Sequence, residues 1–140
     1  MSDITTPIAE PSDRARLLDA VRFDSRGLVP VVAQQHDTGE VLMLAWMNRA
    51  ALAETLATGR VTYYSRSRDA LWRKGETSGQ VQRLVDLRLD CDGDTLLALV
   101  DQAGVACHTG RRSCFSWALR EGEVRPIAEP LVDPKALYGG

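Results

Sequence analysis

Cysteine and histidine are scarce in this chain, three of the first and two of the second among 140 residues. An odd, small cysteine count argues against a secreted, disulfide-stapled domain, which at this size would carry paired cysteines. Long apolar runs are missing too: no stretch approaches the ~20 apolar residues needed to span a bilayer. Met1-Ser2-Asp3 leads into a polar, acidic segment without the apolar core of a secretory signal. A cytoplasmic location is therefore expected. There is no cationic surplus, because the formal net charge is −2. Broad binding to nucleic acid or to an anionic membrane is not expected, and any phosphate recognised should sit on a small molecule. Repeats and low-complexity segments are absent. The apolar content of 44% suffices for one core, and the length suits one domain or one protomer of a small oligomer.

Residues 1–11 carry two prolines without periodicity and read as a flexible lead. Residues 12–128 read as the domain, and 129–140, with Pro130, Pro134 and Gly139-Gly140, as a loosely held tail. Ser12 is placed to cap a short helix that turns Leu17, Leu18 and Val21 toward a core. Leu28 to Gln34 and Val41 to Trp46, separated by His36-Asp37-Thr38-Gly39, form an economical hairpin. Asn48 can cap a second helix, rich in alanine and leucine, which Gly59 should stop. Strands are expected over Val61 to Tyr64, Val81 to Leu89 and Leu96 to Val100, with a final hairpin around Glu121-Gly122. The expected class is α+β, a mainly antiparallel sheet with two short helices.

Every cysteine lies in a chemically dense segment: Asp90-Cys91-Asp92-Gly93-Asp94, Cys107-His108-Thr109-Gly110 and Cys114-Phe115. Should the strand through Val81 to Leu89 continue, period-2 geometry would turn Asp90, Asp92 and Asp94 to one face and Cys91 to the other. Thiolates select zinc and clustered carboxylates select magnesium or calcium. Three protein ligands with a fourth position left to water is the catalytic zinc pattern; closure by His108 would make the site structural. The competing reading is ordinary buried thiols and a turn-forming Asp-Gly-Asp. Zinc lowers the pKa of water to about 7, so hydrolysis is the default reaction class, and His108 is placed to move a proton.

Residues 65–79 combine Arg66, Arg68, Arg73 and Lys74 with hydroxyls and glycines. Forked guanidiniums beside exposed backbone N–H groups suit phosphate, although a solvated surface loop has the same composition. Trp72, a large aromatic in that polar stretch, is either a core anchor or a platform for a flat base.

In five ordered blocks between about Leu28 and Phe115 the chain resembles the phosphoribosyl-AMP cyclohydrolases of histidine biosynthesis. The blocks are Leu42-Met43-Leu44-Ala45-Trp46-Met47-Asn48, Tyr64-Ser65-Arg66-Ser67-Arg68, Leu71-Trp72 with Lys74-Gly75-Glu76-Thr77-Ser78-Gly79, the Asp90–Asp94 segment, and Cys107-His108-Thr109-Gly110 with Ser113-Cys114-Phe115. The resemblance implies hydrolytic opening of the adenine ring of N1-(5-phosphoribosyl)-AMP between N1 and C6, giving the formimino-aminoimidazole carboxamide ribotide. It also implies an intertwined homodimer with metal sites at the interface. One zinc per subunit would be held by Cys107 and Cys114 with Cys91 from the partner subunit, and magnesium by Asp90, Asp92 and Asp94. Arg66, Arg68 and Lys74 become candidates for the substrate's two phosphates, Trp72 for its base and His108 for proton transfer. The signature of zinc base deaminases is absent. Many relatives carry a downstream pyrophosphatase domain, for which this chain is too short, so the preceding reaction is expected from a separate protein. Two rival readings are a non-catalytic zinc-stapled dimer and a hydrolase whose nucleophile is Cys107 or Cys114 with His108 as base.

Overall fold

The computed structural model describes residues 10–137. The first nine residues of the expected lead and the last three of the tail lie outside the described residues.

The elements run α1 (Pro11–Ala20), β1 (Val29–Gln35), β2 (Val41–Met47), α2 (Arg49–Thr58), β3 (Thr62–Ser65), β4 (Ala70–Arg73), β5 (Gln82–Leu89), β6 (Leu96–Gln102), β7 (Trp117–Arg120), β8 (Glu123–Pro126) and α3 (Pro134–Leu137). No helix among them is long and apolar enough to cross a membrane. The α+β expectation holds, with three helices among the described residues rather than two. Pro11, assigned to the lead, instead opens α1, where its fixed φ and missing N–H cost nothing. Glu10, not Ser12, is the N-cap, and it makes no side-chain cap bond.

The main sheet has the order β2-β1-β6-β5. Its outer pairs are antiparallel, but β1 and β6 run parallel at the centre, with Val31 opposite Leu96 and Gln35 opposite Val100. Strict alternation on β1 sends Val29, Val31 and Ala33 inward, where they meet Leu96, Ala98 and Val100 of β6. Helix α2 covers this inner face with Ala51, Leu52 and Leu56. It starts where expected: the Asn48 carboxamide oxygen accepts from the Ala51 N–H at 2.8 Å. It stops at Gly59, whose φ of 74° is a conformation that L side chains rarely adopt.

Beyond α2 the chain bonds to the edge of β5, Val61 N–H to the Gln82 carbonyl and Leu84 N–H to that of Gly59. It then turns into the β3–β4 hairpin. Strand β4 lies inside the segment read as a basic loop; β3 supplies its hydrogen-bonding partner, which local composition does not disclose. Strand β5 ends at Leu89, so the aspartates do not continue it. They occupy the β5–β6 turn, and the alternation argument for their facing is corrected accordingly.

Hairpin β7–β8 stands apart as a third sheet. Trp117 opposite Pro126 and Leu119 opposite Val124 put an apolar face in solvent, with exposures of 61%, 67% and 70% for Trp117, Leu119 and Val124. Part of the expected loose tail is docked. Leu131 and Val132 both donate to the Gly110 carbonyl, at 2.8 and 3.2 Å, and Leu137 is buried.

Candidate active site

Hard ligand atoms gather at one end of the main sheet. Asp90 Oδ1 accepts the N–H groups of Asp94 at 2.9 Å and Thr95 at 3.2 Å, closing the turn on itself. Gly93 N–H donates to the Asp90 carbonyl, and Arg22, just past α1, donates its own N–H to Gly93 at 2.7 Å. Carboxylate oxygens of Asp90, Asp92 and Asp94 then lie within 4.8 Å of one another, exposed. Cys91 sits in the same turn and is exposed. Three converging carboxylates form an oxygen-rich donor set of the kind a hard divalent cation takes.

Soft ligand atoms gather at the other end, in the loop after β6. Cys107 is buried and its sulfur lies 3.0 Å from Thr109 Oγ1. Cys114 retains exposed surface as a residue, but burial of its thiol, with the Cys107 sulfur beside it, raises its pKa to about 12. A coordinating metal would deprotonate such a thiol outright. The pair therefore fits a soft metal better than it fits an activated nucleophile. His108, next in the chain, is exposed.

This loop is held from far away. Arg112 donates to Gln35 Oε1 at 2.9 Å, to the Gln102 carbonyl at 3.0 Å and to the Gly104 carbonyl. Gln35 Oε1 also takes the Gln102 N–H at 2.9 Å. Gln102 Nε2 donates to the Ala103 carbonyl, and its Oε1 accepts from Gln82 Nε2, both at 2.8 Å. Tyr63, whose pKa burial raises further above its ordinary value, donates to Gln82 Oε1 at 2.7 Å. Ser113 and Cys114 bond the carbonyls of Val41 and Leu42 on β2. Sequence reasoning missed this network. Its one signal was glutamine at inward positions of three strands, Gln35, Gln82 and Gln102, where an apolar residue would be ordinary.

Lys74 belongs to the same end. The residue is 4% exposed, and Nζ donates to the Ala106 carbonyl at 2.9 Å with the Trp72 ring at 5.7 Å. Burial lowers its affinity for a proton, while charge on Cys114 and Cys107 acts the other way. Trp72 is half-buried, 5.6 Å from the Tyr63 ring, and lines a cleft of about 300 Å³ with Arg68, Leu71, Arg73, Lys74 and residues 75–78. Arg73 is already committed, in two 2.8 Å bonds to Glu54. Arg66 and Arg68 are exposed on the β3–β4 turn, Arg66 over the Trp46 ring at 4.7 Å. Of the candidate substrate residues, then, the arginines face solvent while Lys74 does not.

Between the two ends runs β6, seven residues long, which at ~3.3 Å per residue separates them by roughly 20 Å. Among the described residues only the aspartate trio forms a ready metal cluster; the three cysteines do not meet within one chain.

A family model described as phosphoribosyl-AMP cyclohydrolase matches residues 43–116, more than half the chain and all the candidate residues above from Arg66 to Cys114. Proteins named phosphoribosyl-AMP cyclohydrolase are similar over most of their length. That of Granulibacter bethesdensis is 69% identical over 88% of this chain and 97% of its own. Those of Rhodospirillum centenum and Rhodospirillum rubrum are 68% and 65% identical, covering 88% and 91% of this chain and 92% and 90% of theirs.

Proposed function

The chain belongs to the phosphoribosyl-AMP cyclohydrolase family of hydrolases, and from that premise we propose that it performs the ring-opening step of histidine biosynthesis as a zinc-dependent homodimer. Its substrate is N1-(5-phosphoribosyl)-AMP. The oxygen of water is added to C6 of the adenine ring, the N1–C6 bond breaks, and a proton goes to N1. A carboxamide and a formamidine result, without loss of ammonia.

The observation that carries this reading is the division of ligands between the two ends of β6. Cys107 and Cys114 lie together, and Cys91 is a strand length away beside the carboxylates. A second chain running the opposite way brings its Cys91 to this chain's sulfur pair, completing three thiolates, and its aspartates to the same cleft. The exposed apolar face of β7–β8 supports such an association, since an isolated hairpin is marginal in water and large exposed apolar patches mark interaction surfaces. When bound, zinc supplies Lewis acidity and acidified water at neutral pH, and magnesium supplies charge for the substrate's phosphates.

The chain's own residues do the rest. Arg66 and Arg68 receive phosphates, their side chains exposed on the β3–β4 turn and held in none of the ion pairs among the described residues. Trp72 presents its ring as one wall of the cleft for the base. His108, beside Cys107, carries a proton between solvent and the leaving N1. A reducing cytoplasm suits thiolate ligation. The deciding experiment is turnover of phosphoribosyl-AMP to the ring-opened product by protein of measured zinc content, with and without a chelator. Activity that survives zinc removal sinks the reading, and zinc binding without turnover favours a structural staple instead.

A further inference from the structure

Lys74 is a buried cation without an anion. None of the ion pairs among the described residues involves it. Its partners are a neutral carbonyl, that of Ala106 at 2.9 Å, and the face of Trp72. An ammonium withdrawn from water in this way is costly unless a negative charge faces it. The Ala106 carbonyl belongs to the peptide that joins directly to Cys107. The backbone around it is pinned by Ala106 N–H to the Arg112 carbonyl at 2.9 Å and Cys107 N–H to the Arg111 carbonyl at 3.1 Å.

The proposed metal centre has the opposite imbalance. Zinc carries two positive charges and three thiolates carry three negative ones, so the centre keeps one negative charge in a partly buried loop. We propose that Lys74 is the built-in counter-charge of this thiolate centre, a positioning residue that stabilises the metal-bound state and fixes the Cys107 peptide. It would not act as a phosphate ligand. This rests on the zinc reading above and deepens it. The two uncompensated charges cancel each other, which accounts for a lysine that is buried with no carboxylate among the described residues to face it. It also assigns the cationic side chains of residues 65–79 to separate tasks, with Arg66 and Arg68 left for the substrate.

The test compares parent, Lys74→Met, Lys74→Gln and Lys74→Arg, each checked for folding by far-UV circular dichroism. Zinc affinity is measured by competition with a chromophoric chelator, and ligation by the thiolate-to-cobalt charge-transfer band after cobalt exchange. Loss of an outer partner of a metal ligand costs roughly 10- to 100-fold in affinity. Lys74→Met and Lys74→Gln should both weaken zinc by that order, with Lys74→Arg closer to parent. Glutamine keeps a donor toward Ala106 without the charge, so it decides the matter if methionine unfolds the loop. Parent-like affinity in a folded uncharged variant overturns the inference alone. So does a raised KM with zinc affinity unchanged, the signature of a phosphate ligand. A parent that binds no zinc overturns the zinc reading and this inference together.

Discussion

At the aspartate end of the main sheet the turn is shaped largely by its own residues, Asp90 bonding groups four and five positions on. At the cysteine end the loop is held by side chains up to 77 positions away, Arg112 on Gln35 being the farthest. The first end is exposed and local, the second partly buried and assembled from β1, β2, β5 and the β4 flank. Hard ligands can sit on an exposed turn because carboxylates are charged in water whether or not a cation is present. Thiols need a built environment, because their charge appears only when a metal or a nearby cation stabilises it.

The sharpest way to break this comparison is to separate the ends genetically. Cys91→Ser, and the double variant Cys107→Ser/Cys114→Ser, should each lose zinc and activity almost completely. Co-refolding the two should restore activity toward a ceiling of about one quarter of parent, because about half the dimers are mixed and each holds one whole site of two. Mass spectrometry must show the mixed dimer; no recovery in its presence would place the three cysteines in one chain.

Next in size is the contrast between two arginines. Arg112→Ala removes a donor from Gln35 Oε1, which keeps the Gln102 N–H, and from the carbonyls of Gln102 and Gly104. It should cost about 1–3 kcal/mol, the loss of a part-buried, charge-assisted hydrogen-bond set. Arg88→Ala near the aspartate end removes only an exposed pair with Asp86 and should stay within about 0.5 kcal/mol. Urea unfolding of both reads the difference, and equal losses would erase the distinction between a local and an assembled end.

Asp92→Asn should leave zinc content near parent while shifting the magnesium activation curve several-fold to higher concentration, because hard-cation binding depends on carboxylate charge. An unchanged curve returns the trio to a turn-forming role. The smallest effect is expected from Asn48→Ala. Losing the 2.8 Å cap bond to Ala51 should lower stability by about 1 kcal/mol, seen as a lower melting temperature, and leave both metal contents unchanged.

Much of this was legible along the chain because it is governed by near neighbours. The β1–β2 hairpin, the Asn48 cap and the Gly59 stop follow from turn chemistry and capping within a few residues. The ligand types also stood out, since Cys91 lies between carboxylates and Cys107 beside a histidine, with Cys114 seven positions on. The facing of Asp90, Asp92 and Asp94 was read from a strand that in fact ends at Leu89; their oxygens converge because the turn curls, not because the pleat alternates. Strand β4 was hidden because its evidence is a partner, β3, and the docking of residues 131–132 because theirs is Gly110.

By itself, then, the order of residues determined which ligand chemistries this protein carries and where its local elements begin and end, since caps, turns and alternation act over distances the chain spans in a few residues. Only the tertiary structure decided that β1 and β6 lie parallel, that Gln35, Gln82, Gln102 and Arg112 join behind the cysteine loop, and that Lys74 is buried against it. Those contacts join residues between 10 and 77 positions apart, and no local preference encodes them. They form because burying the sheet's inner face brings these polar groups out of water together, where each must find a partner.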